Sequence, residues 1–259
     1  MQQRPWTQSS QSWVISQSLS LSFEIAQTSN INKKDRSSLT DTLLESVSSR
    51  DEFGFTIGSS GRVLQVISEI RLLSERIASG DVPENLGELI QAYMAELTLP
   101  SEDDNMEDLD FEASWETTSK KDQAEYLYRL HLRLFRNAVI IYFFRTILNV
   151  PPQGVIEYVS AVLQDTLSFL RLHGAAVSMW PVFIAAVEAY ETDHQQIVEQ
   201  WLDISNKLGI QNRRTVEQVI RAVWEKRSHK AIKRGIRQSE TPIDWREIQQ
   251  HLGLDLLLL

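Results

Sequence analysis

Asp122-Gln-Ala-Glu-Tyr-Leu-Tyr-Arg-Leu-His-Leu-Arg-Leu-Phe-Arg-Asn-Ala-Val-Ile-Ile-Tyr-Phe-Phe-Arg-Thr-Ile-Leu148 is the stretch that decides the fold. Its apolar positions, Tyr126, Leu127, Leu130, Leu134, Phe135, Val139, Ile141, Tyr142 and Leu148, recur every three to four residues and nearly surround the axis. A helix apolar on most faces belongs at the centre of a bundle. Its most apolar part, Ala138 to Phe144, is interrupted by Arg145 and flanked by Arg133 and Arg136, well short of the ~20 apolar residues that cross a bilayer. The spacing therefore predicts a buried core helix over 122–148, ended by Pro151-Pro152.

The same period extends on both sides. Upstream, Val63, Leu64, Val66, Ile67, Ile70, Leu73 and Ile77 predict a helix closed by Gly80 and Pro83, and Asn85 to Leu97 predicts a second, stopped by Pro100. Downstream, helices are expected over Val155–Leu172, Pro181–Tyr190, Gln195–Leu208, Thr215–Lys230 and Pro242–His251. For the last of these Thr241 reads as the N-cap and Pro242 as the first helical position, with Asp244 in the first turn. No alternating strand pattern and no fixed-period repeat occurs, so the expected fold is all-α, an irregular multi-helix bundle of antiparallel helix pairs. Residues 1–60, Ser- and Gln-rich at first and Gly-rich near Gly58-Ser-Ser-Gly61, read as a largely disordered leader, and 61–259 as the helical domain.

Composition narrows the function classes. The 259 residues contain no Cys, which removes disulfides, thiolate metal sites and a cysteine nucleophile. The N-terminal residues lack the apolar core of a secretory signal, so secretion is not expected. A net charge of −9 argues against a surface devoted to nucleic acid, but the charge is uneven. Residues 101–116 carry eight Asp or Glu and no Lys or Arg, whereas Lys207 to Arg237 is strongly basic.

Each segment offers a candidate site. Asp103-Asp-Asn-Met-Glu-Asp108 has a spacing that could hold Mg²⁺ and a diphosphate, similar to the aspartate-rich motif of helical terpene synthases; the competing reading is a solvated acidic loop. No second metal motif accompanies it. The basic cluster Lys226, Arg227, Lys230, Lys233, Arg234 and Arg237 suits nuclear import or phosphate contact, against a solvated helix end. The five His residues, His131, His173, His194, His229 and His251, never stand in the i, i+4 pairing of a helical zinc site. No phosphate-binding Gly loop or nucleophile elbow occurs, and Trp180, Trp201, Trp224 and Trp245 read as core anchors. No catalytic residue, cofactor or metal is assigned, and the chain is not expected to be an enzyme.

Four pieces in order carry a family resemblance: Ile140-Ile-Tyr-Phe-Phe-Arg145 running into Leu148-Asn-Val-Pro-Pro152, Trp180-Pro-Val-Phe-Ile-Ala-Ala-Val-Glu-Ala189, Val223-Trp-Glu-Lys-Arg227, and Trp245 with the leucine-rich end. Together they resemble the regulatory domain of fungal-specific transcription factors, whose members usually carry a six-cysteine binuclear zinc cluster that this chain lacks. Ala186-Val187 stands where the family often has Gly-Cys, and an arginine common a turn later is missing in Asp193-His-Gln-Gln196. The resemblance implies a nuclear, regulatory, protein-interacting domain that modulates RNA polymerase II transcription. Its implied partners are the transcription machinery or a related factor, with room for a small-molecule effector. Sequence-specific DNA reading by this chain and membrane insertion are not expected. Both a fragment of a larger factor and a stand-alone adaptor fit.

Overall fold

The computed structural model describes residues 61–98, 114–173, 177–207 and 212–254. The leader over 1–60, the acidic run Asp103–Asp108 and the terminal leucines from Leu256 lie outside the described residues. Among the described residues the structure is all-α, with eight α-helices and no strand. They are α1 (Gly61–Ala78), α2 (Leu86–Thr98), α3 (Lys120–Thr146), α4 (Ile156–His173), α5 (Met179–Glu188), α6 (Thr192–Lys207), α7 (Asn212–Arg234) and α8 (Trp245–Leu252).

The expected central helix is α3. Ser119 caps it by accepting a hydrogen bond from the Asp122 amide, which satisfies one of the donors that a helix start leaves orphaned. Leu130, Leu134, Ala138, Val139, Ile141 and Phe143 are fully buried along its length. It packs on α1, α4 and α5, with α2 against its outer flank. Its far end turns through Asn149, which adopts φ 49°, a left-handed conformation that Asn tolerates better than most residues, before Pro151 prevents resumption.

Helix α5 is the hidden element. All ten of its residues are buried, Pro181 included, because a proline within the first turn removes an amide that has no intrahelical partner in any case. It is sandwiched by α3, α4, α6 and α7. Trp180 stacks on Phe135 at 5.9 Å between ring centroids and meets Tyr142 edge-on.

The last helix begins later than the sequence suggests. Asp244, not Thr241, is the N-cap of α8, its carboxylate accepting from the Arg246 amide at 2.9 Å. Pro242 stays outside the helix, so that its carbonyl accepts from Lys230 and Ile243 enters the core. Gly253 then closes α8 at φ 62°, where a glycine carries no steric cost.

Candidate functional site

Full burial of α5 creates a problem at its C-terminus. The backbone turns extended at Ala189, whose amide still reaches the Ala185 and Ala186 carbonyls, while the buried carbonyls beyond them have no helix left to supply donors. Side chains of α7 replace the missing donors. Trp224 Nε1 donates to the Ala186 carbonyl at 2.8 Å. Arg227 donates through Nη2 to Val187 O at 2.8 Å, through Nη1 to Ala189 O at 3.4 Å, and through Nε to Thr241 O at 3.3 Å.

A guanidinium with no exposed surface needs a counter-charge. Glu188, the last residue of α5, supplies it, with Oε2 at 3.1 Å from Arg227 Nη2. The other carboxylate oxygen of Glu188 faces Arg145 of α3, 2.8 Å from Nε. That contact is ionic, because Nε lies off the hydrogen-bond line. Arg145 also donates to the Val150 carbonyl, and to Ile243 O at 3.4 Å. Burial, reinforced by the nearby Arg145 charge, pulls Arg227 below its ordinary value against the pull of Glu188. One carboxylate thus joins two arginines and ties α3, α5, α7 and the segment leading into α8.

A cavity of about 390 Å³ opens beside this cluster, with Arg145 and Glu188 in its lining. Ile141, Ile184, Val187, Ile243 and Trp245 give it an apolar wall, and Lys226, Lys230, Arg246 and Glu247 surround it with charge. A smaller cavity of about 160 Å³ lies behind Tyr142, Trp245 and Arg246, which line both.

The basic cluster read from the sequence divides. Lys226, Lys233, Arg234 and Arg237 are exposed, and Lys230 is half-buried with its ammonium on the Pro242 carbonyl. Arg227 is fully buried and belongs to the core, not to a surface patch. A signal for this exists in the sequence: Val216, Ile220, Val223, Arg227 and Ala231 form one helical stripe, and all five are buried. The density of neighbouring cations masks it. Glu188 and Arg145 were equally visible, as the single charges ending the two most apolar helical stretches, but pairing across 43 residues has no local signature.

Two arrangements resemble parts of enzyme sites. The Asp103–Asp108 run lies outside the described residues, and no group of carboxylates or imidazoles suited to a metal occurs among the described ones. The terpene-synthase-like alternative finds no support here. The other arrangement escaped the sequence reading: Ser160 Oγ lies 2.8 Å from His194 Nε2, and His194 Nδ1 lies 3.2 Å from Glu191. The Ser160 hydroxyl donates to the Ile156 carbonyl one turn back, which commits its single proton and leaves its oxygen as the acceptor for the imidazole. Neither cavity reaches these three residues. They pin α4 to the start of α6.

Against known proteins, the model of the fungal specific transcription factor domain matches residues 6–259. The chain belongs to that family. The match starts inside the stretch read as a leader and takes in every described helix of the fungal transcription factor domain. No curated protein and no solved structure matches the chain. The pieces that carried the resemblance in sequence supply Arg145, Glu188, Arg227 and Trp245, and the fold brings all four to the buried cluster and its cavity. No helix among the described residues is long and apolar enough to cross a membrane.

Proposed function

We propose that this chain is a regulatory, protein-interacting domain acting in the nucleus on RNA polymerase II transcription, with the transcription machinery or a related factor as its partner. Membership of the fungal transcription factor domain family carries the reading. The chemistry around the cavity agrees with it, because most of the charged residues there satisfy helix ends or one another. The exposed cations Lys226, Lys233, Arg234 and Arg237, with Lys230 beside them, serve nuclear import or loose phosphate contact and do not read base sequence.

Fusion of residues 1–259 to an unrelated DNA-binding module upstream of a reporter tests the central claim. The fusion is expected to change reporter transcription in either direction relative to the module alone. An unchanged reporter, with the fusion present in the nucleus at equal abundance, would overturn the reading. Titration of promoter and random duplexes is expected to show weak, salt-labile and sequence-independent binding; tight, selective binding at physiological salt would refute the account of the cations.

A further inference from the structure

The cavity beside the buried cluster is not electrically balanced. Arg145, Lys226, Lys230 and Arg246 line it against Glu188, Asp244 and Glu247, and Arg227 lies directly behind Glu188. Two of the three carboxylates are already committed. Glu188 is shared by two arginines, and Asp244 accepts from both the backbone and the guanidinium of Arg246. Glu247 stands 3.9 Å from Lys226, too far for a hydrogen bond. Lys230 meets a neutral acceptor, the Pro242 carbonyl. Burial, together with the positive charges of Arg234 and Lys226, pulls its ammonium below the ordinary lysine value.

Lys226 and Lys230 stand at i, i+4 on α7, so their ammonium groups rise from one face and leave a gap between like charges. The N-terminal turn of α8, with its partial positive charge, borders the same space. Ile184, Ile243 and Trp245 add apolar and aromatic surface to the same lining. The volume of about 390 Å³ falls in the ~300–1,000 Å³ range of small-molecule pockets.

We infer that this cavity binds a small organic anion, with an apolar or aromatic body against Ile184, Ile243 and Trp245 and a carboxylate or phosphate head between Lys226 and Lys230. A cation would meet an excess of like charge, and among the described residues a neutral body would leave Lys226 with only the distant Glu247 and Lys230 with only the Pro242 carbonyl. The inference concerns binding alone. It holds whether or not the domain acts on transcription, so a silent reporter and a failed titration are separate outcomes.

Calorimetric titration of the full chain with naphthylacetate, naphthyl phosphate and the neutral naphthylacetamide tests it. At least one anion is expected to bind, with the amide weaker by roughly tenfold or more. The stronger of the two anions identifies the head group. Joint replacement Lys226→Gln and Lys230→Gln is expected to weaken the anion about tenfold with the fold kept, the hydrogen bond at stake being that of Lys230 to the Pro242 carbonyl. The control pair Lys121→Gln and Lys207→Gln removes the same charge elsewhere and is expected to leave binding unchanged. Equal affinity for amide and anion, equal loss in both double variants, or no binding of either anion would overturn the inference.

Discussion

Two charged networks in this molecule use the same chemistry in opposite surroundings. Between α1 and α2, Arg62 reaches Glu96 with two 2.6 Å bonds and Glu69 with one of 3.0 Å, and Tyr93 donates to Glu69 at 3.0 Å. There the arginine side chain is 49% exposed and its two carboxylate partners 39% and 36%. Around α5, Arg145, Glu188 and Arg227 are 10%, 4% and 0% exposed. The outer network gains little, since water and salt compete for every charge. The inner one is sensitive for a different reason: its attraction is largely offset by desolvation, but loss of one member strands the others. Hence the inner cluster fixes where α3, α5, α7 and α8 meet, and the outer one only fastens a peripheral helix pair.

The largest expected effect follows directly. Glu188→Gln keeps the shape of the side chain and leaves two buried guanidiniums facing each other across a neutral amide. A loss of about 3–5 kcal/mol is expected in chemical denaturation. A loss under about 1 kcal/mol would place the cluster in the same class as the Arg62 network and erase the contrast. Trp224→Ala comes next. From sequence alone Trp224 reads as a buried anchor like Trp180, yet it is half-buried and its indole serves mainly the Ala186 carbonyl. Its removal is expected to cost about 1–3 kcal/mol, from the lost indole hydrogen bond and half-buried ring while the Ala186 carbonyl keeps the Ala189 amide, against about 3–5 kcal/mol for Trp180→Ala.

This difference between Trp180 and Trp224 shows how far sequence reading carries. Helical period located every described helix, because apolar spacing follows from the burial of one face. Arg227 shows where it stops: composition placed it in a basic patch, while its position on the Val216–Ile220–Val223 stripe put it in the core. The cavity is less legible still, since its lining comes from four helices and two connecting segments that only the tertiary fold brings together. Local chemistry misled once, at Thr241-Pro242, a sound helix-start signal outcompeted by the burial of Ile243 and by the Asp244 cap. Asp244→Ala is accordingly expected to cost about 1 kcal/mol, measurable as a lower melting temperature. Thr241→Ser, which keeps the hydroxyl that donates to Arg237 O at 2.8 Å, is expected to be smaller in effect. An unchanged melting temperature for Asp244→Ala would remove Asp244 as the cap.

The smallest expected effect sharpens the outer side of the comparison. Arg62→Ala removes every cationic contact of that network, and because the site is open the expected loss is below about 1 kcal/mol and shrinks as salt is raised. The sign of its pH dependence is fixed by Glu96, whose carboxyl is held below its ordinary value by the hydrogen bonds from Arg62. A depressed folded-state value means that the contribution is fully present above the carboxylate's ordinary titration range and disappears as pH falls through the lowered one. Wild type and Arg62→Ala should therefore differ in melting temperature at neutral pH and converge in acid. Glu188→Gln should behave otherwise near neutrality, with a large deficit that added salt alters far less, because so little of the cluster's surface is open to screening ions. If salt erased the Glu188→Gln deficit as it erases that of Arg62→Ala, the distinction between a buried junction and a surface fastening would be lost.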